Sequence, residues 1–351
     1  MDERDLPVVV VGAGPVGLAA AAHLLERGIE PLVLEAGATA GASVRQWHSV
    51  RLFSRWAEVV DPTAEKLLAP TGWQSPDPDS YATGAEWAQR YLQPLADVLG
   101  DRVRYGSRVI GVARRGRDRI VDAGRDTEPL TVHVDTADGE QRILARGLID
   151  ASGTRSTPNP LGADGLPAIG EKAAADRIAY QVPDFADPDV RARYAGKRIA
   201  VAGSGHSALT ALVAFADLAR DEPGTHVDWL LRRGQVGDTF GGGDADQLPP
   251  RGALGLRAAA AVEAGHITTV TGFRTVAVAP VGQGPGAGVP GRAPPRPGRR
   301  GGGADRVPPG PVVALGGAPG PRPHAAGRPR AGTVDRPERA LLRHGVPARR
   351  P

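Results

Sequence analysis

The chain has 351 residues, of which 41% are apolar, 4% aromatic and 23% charged. A chain of this length can bury a sizeable core and suggests about two domains. It contains no cysteine, which excludes disulfide bonds, thiolate metal ligands, cysteine nucleophiles and dithiol redox exchange within the chain. We predict no metal site.

The formal net charge of +4 is an average over two oppositely charged parts. Residues 277–351 have 13 Arg, 16 Gly, 16 Pro and three acids, a net charge of +10, and no Lys, Ile, Phe, Tyr or Trp. The first 276 residues have 30 basic and 36 acidic side chains, a net charge of −6. Because the basic part has so few large apolar side chains, we predict a disordered, low-complexity tail over 277–351.

Targeting and membrane signals are not recognisable in the sequence. Residues 1–5 (M-D-E-R-D) are acidic, unlike the basic start of a secretory signal. No run approaches the ~20 consecutive apolar residues of a membrane-spanning helix. We therefore expect a soluble, cytoplasmic protein without a membrane partner.

The first 35 residues predict a strand, a glycine turn, a helix, a second strand and a terminal acid. In the spacing G-x-G-x-x-G, Gly12 allows the sharp turn, Gly14 lets a pyrophosphate approach the backbone, and Gly17 lets helix and strand pack closely. Glu35 follows Gly17 by 18 residues and can accept hydrogen bonds from ribose hydroxyls. The pattern predicts a dinucleotide site, and the acid favours FAD or NAD because it repels a 2′-phosphate.

A second glycine turn, G-S-G-H-S-A at 203–208, follows a strand predicted at 197–201. The next strand, predicted at 226–231, ends in two arginines instead of an acid. Guanidinium groups match phosphate oxygens, so this second site is predicted to bind NADPH. The alternative is that the arginines are a solvated strand end. The candidate residues of this site are Gly203, Gly205, Ser207, Arg232 and Arg233.

Between the two turns, the sequence predicts a helix and a layer of hairpins. Residues 83–86 are a capping box, and the helix after it carries aromatic and leucine side chains over 87–99 that we interpret as core rather than as a substrate site. Predicted strands at 103–113, 130–134 and 148–150 would cover an adenine site. Prolines 158 and 160 mark a boundary, which divides the folded part into domains at 1–158 and 159–276.

These residues resemble the two-dinucleotide-binding-domain flavoproteins, and among them the flavin-containing monooxygenase group and its bacterial relatives. D-A-S-G-T at 150–154 stands where that group has its A-T-G linker, and Y-A-G-K-R at 194–198 leads into the second turn. The stretch 41–47 is similar to the group's segment near the flavin. The resemblance covers residues 8–276 and implies an α/β fold with two Rossmann-like domains, the NADPH domain being inserted into the FAD domain.

The resemblance also implies cofactors and site residues. In that group NADPH reduces FAD, and the reduced flavin uses O2 to oxygenate a soft heteroatom or a ketone of a small molecule. The residues implied at the FAD are Gly12, Gly14, Pro15, Gly17, Glu35, Arg45, Trp47 and Gly153. For Trp47, packing in the core is an equally good expectation. Hydride transfer from nicotinamide C4 to flavin N5 needs no side-chain acid or base, so we assign no catalytic residue.

Two features depart from that group. Its signature has a histidine shortly before the second glycine turn, whereas residues 169–180 contain none, so a reductase-like member is an alternative. The group's chain also returns to the FAD domain through a strand and an A-T-G-F turn. After residue 276 only V-V-A-L-G-G at 312–317 is weakly similar to it.

The basic segment 277–351 has three interpretations. We favour an out-of-frame translation of a GC-rich gene, because the folded pattern stops mid-domain and Gly, Pro, Ala and Arg have GC-rich codons. A tail that binds nucleic acid or acidic lipid is the second, although it has no aromatic residue among its arginines. An ordinary flexible tail is the third. We expect no nucleic-acid partner.

The sequence as a whole predicts an FAD- and NADPH-dependent oxidoreductase that is monooxygenase-like and incomplete at its C-terminus. The alternative is a non-catalytic nucleotide-binding or redox-sensing protein that lacks a complete flavin pocket. Residues 240–250 are expected to form a loop near the nicotinamide or the substrate.

Overall fold

The predicted strand–turn–helix–strand units form two separate parallel sheets. The structure is a computed structural model that describes residues 5–279 and 312–314. The strands in chain order are β1 (Val8–Val11), β2 (Pro31–Leu34), β3 (Val103–Arg104), β4 (Arg108–Arg114), β5 (Leu130–Thr136), β6 (Gly139–Ala145), β7 (Gly147–Asp150), β8 (Ile178–Ala179), β9 (Arg198–Ala202), β10 (His226–Leu230), β11 (Thr268–Val270) and β12 (Val312–Ala314). The α-helices are α1 (Pro15–Glu26), α2 (Ala42–Arg45), α3 (Trp56–Val59), α4 (Pro62–Leu68), α5 (Gly84–Trp87), α6 (Gln93–Leu99), α7 (Pro188–Tyr194), α8 (His206–Asp221) and α9 (Pro249–Glu263).

The first sheet has the strand order β3-β2-β1-β7, and its strands are parallel. Four consecutive valines form β1, the central position, as expected for a strand covered on both faces. Helix α1 returns along the sheet and ends before Gly28, which has a left-handed φ of 68° and donates its N–H to the Leu25 carbonyl. The predicted order of elements in this unit is confirmed.

The predicted single strand at 103–113 is wrong. It is two strands, because Gly106 takes a φ of 60° and turns the chain. The N–H groups of Gly106 and Ser107 donate to the carbonyl oxygens of Gly37 and Glu35. As a result β3 joins the first sheet, while β4 pairs with β5 and β6 in an antiparallel sheet.

The antiparallel sheet β4-β5-β6 packs against one face of the first sheet. Val132 and Val134 of β5 share a buried cluster with Val9, Leu32 and Leu34. The predicted hairpin layer is therefore present, and β5 and β6 are joined through a short turn next to Gly139.

The other face of the first sheet is covered by the helical layer 84–99. The predicted capping box forms, since Thr83 Oγ1 accepts from the Glu86 N–H at 3.1 Å and Glu86 Oε2 accepts from the Thr83 N–H at 2.8 Å. A π-helical turn, Ala88–Leu92, precedes α6. Pro94 has no N–H to donate to the carbonyl of Arg90, four residues earlier. The Trp73 indole donates to that carbonyl instead, at 2.8 Å. The aromatic and leucine side chains of this layer are buried as predicted, namely Trp87, Tyr91, Leu92, Leu95 and Leu99.

The second sheet has the order β11-β10-β9-β12-β8, again parallel. Strand β12 lies within the segment predicted as a tail, and it pairs with β9 in the register Ala200↔Val312 to Ala202↔Ala314. The weak similarity noted at 312–317 thus includes a strand beside the second glycine turn. The predictions for 280–311 and 315–351 lie outside the described residues. The domain boundaries at residues 158 and 276 stay a prediction.

Helix α9 was not predicted from the sequence. Two glycines interrupt its pattern, and both are required by contacts: an added Cβ at Gly252 would lie 2.1 Å from the Gly243 carbonyl oxygen, and one at Gly255 would lie 1.8 Å from the Phe240 carbonyl oxygen. The region 240–250, predicted as a loop, contains the short 3-10 turn Gly243–Ala245 and the start of α9. Within the described ranges, no helix is long and apolar enough to cross a membrane.

Candidate cofactor sites and the cavity between them

The first glycine turn connects β1 to α1. Gly12 has a φ of 98°, and a Cβ there would lie 2.7 Å from the Ala151 carbonyl oxygen. A Cβ at Gly17 would lie 1.9 Å from the Gly12 carbonyl oxygen. At Gly14, by contrast, an added Cβ would meet no described atom within 4 Å. Two glycines are therefore required by the protein itself, and the third leaves open space at the N-terminus of α1, where unpaired N–H groups attract anions.

Glu35 lies directly after β2, beside this turn. Its Oε2 accepts from the Ala13 N–H and its Oε1 from the Gly37 N–H, both at 2.7 Å. A carboxylate has about four acceptor positions, so two remain for ligand hydroxyls. Pro15 occupies the first position of α1, where its missing N–H removes no helical bond.

The segment 41–47 leads away from the turn along α2. Arg45 donates through Nε to the Ala40 carbonyl at 3.1 Å and through Nη2 to Gln93 Oε1 at 3.2 Å. Its guanidinium thus ties this segment to α6. Trp47 packs on Trp87 with ring centroids 6.5 Å apart and remains 37% exposed, so it is not a core residue.

The turn after β7 lies against the first glycine turn. Ser152 donates to Asp150 Oδ1 from its hydroxyl at 2.7 Å and from its N–H at 3.0 Å, and these bonds hold the pKa of Asp150 below its usual value. Gly153 takes a left-handed φ of 71°. The structure therefore brings together the two segments that the sequence predicted to meet at the same ligand.

The second glycine turn has nearly the same backbone as the first. Gly203 has a φ of 130°, and Gly205 precedes α8 with φ −87° and ψ 175°, close to the −82° and −178° of Gly14. The Trp229 indole donates to the Gly203 carbonyl at 2.7 Å and fixes the turn to β10. Ser207 is exposed on the first turn of α8.

The two arginines after β10 differ in their contacts. Both are exposed. Arg232 donates from Nη1 to the Ala163 carbonyl at 2.9 Å. The Arg233 side chain makes no hydrogen bond or ion pair with any described residue. The Arg233 guanidinium is thus unpaired among the described residues, whereas the Arg232 guanidinium already makes one hydrogen bond to the protein.

A cavity of about 540 Å³, called here the inner cavity, lies between the two units. The first unit contributes residues on 46–54, and the second contributes residues on 180–182 and the start of α8. The main lining side chains are Gln46, Trp47, Arg51, Phe53, Trp87, Arg155, Tyr180, His206, Ser207, Thr210 and Leu248. Sequence reasoning identified Trp47 and Ser207, and Leu248 lies in the stretch 240–250 that was expected near the nicotinamide or the substrate. No local pattern indicates that the other segments meet.

The polar groups around the inner cavity are held by protein contacts. Arg155 Nε donates to Gln46 Oε1 at 2.9 Å, and burial lowers the pKa of Arg155. Burial and then the nearby Arg251 lower the pKa of His206, so its imidazole is neutral at pH 7. The Tyr180 hydroxyl donates to Glu171 Oε1 at 2.5 Å, and burial together with this carboxylate raises the pKa of Tyr180. The cavity therefore contains a tyrosine that stays protonated and the partly buried guanidinium of Arg155.

Known proteins are similar to this chain in sequence. A family described as "Pyridine nucleotide-disulphide oxidoreductase" matches residues 9–239. Monooxygenase AgnR1 of Paecilomyces divaricatus is 27% identical over 243 residues, 64% of this chain and 58% of that protein. Indole-3-pyruvate monooxygenase YUCCA1 of Oryza sativa subsp. japonica is 29% identical over 204 residues, 57% of this chain and 43% of that protein.

Solved structures share the fold. Bacillithiol Disulfide Reductase Bdr (YpdA) from Bacillus cereus superposes with a TM-score of 0.54 and 20% identity, covering 76% of this chain and 68% of that one. The enzyme of the same name from Staphylococcus aureus gives a TM-score of 0.50 at 17% identity, covering 76% of this chain and 66% of that one. The chain spans about half the length of the curated monooxygenases it matches.

Proposed function

Because the chain belongs to the pyridine nucleotide-disulphide oxidoreductase family, we propose that it is an FAD- and NADPH-dependent oxidoreductase of the monooxygenase type. One observation carries this proposal. Two glycine turns with nearly the same backbone begin helices α1 and α8, an acid ends the first unit's second strand and two arginines end the second unit's, and the inner cavity lies between the two units. A fold of this kind holds two nucleotides of different charge.

FAD is proposed to bind the first turn. Its pyrophosphate would lie over Gly14 at the N-terminus of α1, and its ribose hydroxyls would donate to Glu35. The open space at Gly14 and the two unused acceptor positions of Glu35 fit such a ligand. Trp47 would contact the flavin end, whereas Arg45 would act by holding the 41–47 segment in place.

NADPH is proposed to bind the second turn. Gly205 and Ser207 would meet its pyrophosphate at the N-terminus of α8. Arg233 would pair with the 2′-phosphate, since its guanidinium is exposed and unpaired among the described residues. Arg232 would contribute less, because it already donates to the Ala163 carbonyl.

When bound, these cofactors supply hydride transfer from nicotinamide to flavin and the activation of O2. The side chains of the inner cavity orient the two rings and exclude water, and Trp47, Trp87 and Phe53 provide apolar surface for this. His206 is neutral at pH 7 and adds no charge beside the nicotinamide.

A dithiol reaction is not available to this chain, because it has no cysteine. The disulphide chemistry in the family's description therefore does not transfer to it as an internal redox pair. Similarity to two proteins named as monooxygenases supports oxygenation of a small molecule instead. We expect the protein to work in the cytoplasm.

The test is the visible spectrum of the purified protein. We expect a flavin band near roughly 450 nm that NADPH bleaches without O2 and that returns when O2 is admitted. A colourless protein that cannot be reconstituted with FAD would contradict the proposal and favour a non-catalytic nucleotide-binding protein.

A matched pair of variants locates the site. Gly14→Val places a side chain in the open space of the first turn, where no described atom lies within 4 Å of the added Cβ, so the protein should fold but lose FAD. Gly111→Val in β4 is the control, because its added Cβ would come no closer than 3.9 Å to a neighbour. Retention of FAD by Gly14→Val would show that the flavin binds elsewhere.

A further inference from the structure

A second cavity, called here the outer cavity, adjoins the inner one. It has a volume of about 580 Å³ and lies among residues 49–53, residues 182–186 and helices α8 and α9. Six residues line both cavities, namely Val50, Arg51, Leu52, Phe53, Val182 and Thr210. The two spaces are therefore separated by a wall one side chain thick.

Phe53 is the largest side chain of this shared wall. Its ring meets the His206 ring edge-on at 5.3 Å, and Thr210 lies one turn further along α8 with its hydroxyl donating to the His206 carbonyl at 2.9 Å. Phe53 is partly buried and packs against the edge of the second unit's core, so a change of its rotamer would alter only contacts at that edge. Such a change would connect the two cavities.

The outer cavity has many charged side chains, and each of them already has a partner. Arg257 pairs with Asp217 at 3.5 Å, and Arg191 pairs with Asp221 at 3.5 Å and with Glu222 at 3.0 Å. Two further lining groups are also engaged: Arg51 donates to the Tyr81 carbonyl, and Asp184 accepts from Ser49 and lies 3.5 Å from His48. An ionic ligand would have to compete with these pairs, whereas an uncharged ligand leaves them intact.

The rest of the lining is mainly apolar. Phe185, Leu218 and Leu254 face this space together with Phe53. Phe185 also packs edge-on against Tyr194 and Phe215, which makes that wall rigid. Apart from its paired charged groups, the cavity thus offers apolar surface and the hydroxyls of Ser49 and Thr210 to a small molecule.

We infer that the outer cavity binds the oxidisable substrate, an uncharged and largely apolar small molecule, before it passes Phe53 into the inner cavity. This inference rests on the proposed function, since the inner cavity must then hold the reacting ends of the two cofactors. The flavin and nicotinamide rings would occupy part of its volume of about 540 Å³, and the adjoining outer cavity provides further space for the substrate.

The test uses N-phenyl-1-naphthylamine, an uncharged apolar dye that fluoresces when it enters an apolar site. Ala253 is exposed on α9 and lines only the outer cavity, so Ala253→Trp fills that cavity without touching the inner one. The control is Ala260→Trp, which is exposed two turns further along the same helix and outside both linings. We expect saturable dye binding by the wild type, at least tenfold weaker binding by Ala253→Trp, and wild-type binding by Ala260→Trp.

Charge selectivity is tested with 1-anilinonaphthalene-8-sulfonate, an anionic dye of similar size, which should bind at least tenfold more weakly than the neutral dye. Absence of saturable binding, equal effects of the two tryptophans, or preference for the anionic dye would each overturn the inference. Bleaching of the flavin by NADPH is followed on the same samples. Failure there would overturn the proposed function and is recorded independently of dye binding.

Discussion

Strands β3, β2, β1 and β7 of the first sheet correspond in order to strands β11, β10, β9 and β12 of the second. In both units a glycine with a positive φ follows the central strand, and a glycine with nearly the same φ and ψ precedes the helix. The third position of the turn differs, since Gly17 of the first unit is replaced by Ala208. The ends of the second strands differ in charge, with Glu35 against Arg232 and Arg233.

The two units share the backbone that would bind any dinucleotide and differ in the side chain that would select between FAD and NADPH. The shared backbone provides the N–H groups and open space that a pyrophosphate requires, so it does not distinguish FAD from NADPH. The side chain at the end of the second strand lies where the adenosine ribose would be, and its charge decides whether a 2′-phosphate is repelled or held. Side chains added at the turn glycines should therefore weaken binding of the whole dinucleotide, and changes to the strand ends should affect selectivity.

The largest effect is expected for Gly17→Ala in the first unit. An added Cβ would lie 1.9 Å from the Gly12 carbonyl oxygen, so α1 must move away from β1. Overpacking of this kind costs about 1–3 kcal/mol of unfolding free energy, and the displaced turn should no longer retain FAD. Urea unfolding and the FAD content of the purified protein measure the two losses.

Ala208→Gly is the matched change in the second unit. Ala208 is buried in the first turn of α8, and this unit accommodates its side chain. We expect only the cost of a helical glycine, about 0.5–1 kcal/mol, with NADPH binding preserved. Equal destabilisation by the two variants would show that the third position does not distinguish the units.

The next effect concerns the arginines of the second unit. Arg233→Gln should raise the Kd for NADPH about tenfold to a hundredfold without changing the Kd for NADH, since a hydrogen bond to a charged group contributes about 1.5–3 kcal/mol. Calorimetric titration with both nucleotides measures the selectivity. Arg232→Gln serves as the comparison and should have the smaller effect, because Arg232 already donates to the Ala163 carbonyl. If NADPH and NADH weaken equally, the two arginines are only a solvated strand end.

Local patterns in the sequence predicted both glycine turns, the two strands that flank each of them and the opposite charges at the strand ends. They did so because these features depend on neighbours within about 20 residues. Helix α9 was not predicted because Gly252 and Gly255 interrupt its helical pattern. Both positions need glycine, since a side chain there would clash with the carbonyl oxygens of Gly243 and Phe240.

The inner cavity could not be predicted for a related reason. Gln46 meets Arg155 and Gln181 across more than 100 residues of chain, and no spacing or periodicity encodes that contact. The pairing of β12 with β9 is similarly distant in sequence. The residues at each cofactor thus stay predictions from the sequence, whereas the cavity between the units is visible only in the tertiary structure.

One tyrosine in each unit hydrogen-bonds through its hydroxyl, the buried Tyr91 in the first and the partly buried Tyr180 in the second. In the first, the Tyr91 hydroxyl accepts from the Asp61 N–H at 3.0 Å, and burial raises the pKa of Tyr91 to about 12. In the second, the Tyr180 hydroxyl donates to the buried carboxylate of Glu171, which also accepts from the N–H groups of Leu161 and Ala168.

Because the partner of Tyr180 is charged, Tyr180→Phe should cost about 1.5–3 kcal/mol of unfolding free energy, and Tyr91→Phe about 0.5–1.5 kcal/mol. Urea unfolding of the two variants at pH 7 gives the comparison. A larger loss in Tyr91→Phe would mean that Glu171 is held by its backbone donors alone.

The smallest effect is expected on the free energy of unfolding at low pH, through Asp246 in the second unit. Asp246 accepts from the Arg251 guanidinium and from the Leu248 N–H, and these contacts lower the pKa of Asp246 to about 2 from its ordinary value of 3.8. A group with a depressed folded-state pKa stabilises the fold above its unfolded pKa, and this contribution is lost as the pH falls through the folded pKa. The contribution of Asp246 should therefore be complete above about pH 4 and disappear toward pH 2.

Asp246→Asn removes this dependence. The drop in the urea midpoint between pH 5 and pH 2.5 should be smaller in Asp246→Asn than in the wild type, while Asp244→Asn, two residues earlier in an exposed turn, should reproduce the wild-type drop. If Asp246→Asn shows the same drop in the urea midpoint as the wild type, the Asp246–Arg251 ion pair contributes no stability. Helix α9 would then be held in place by its close contacts at Gly252 and Gly255.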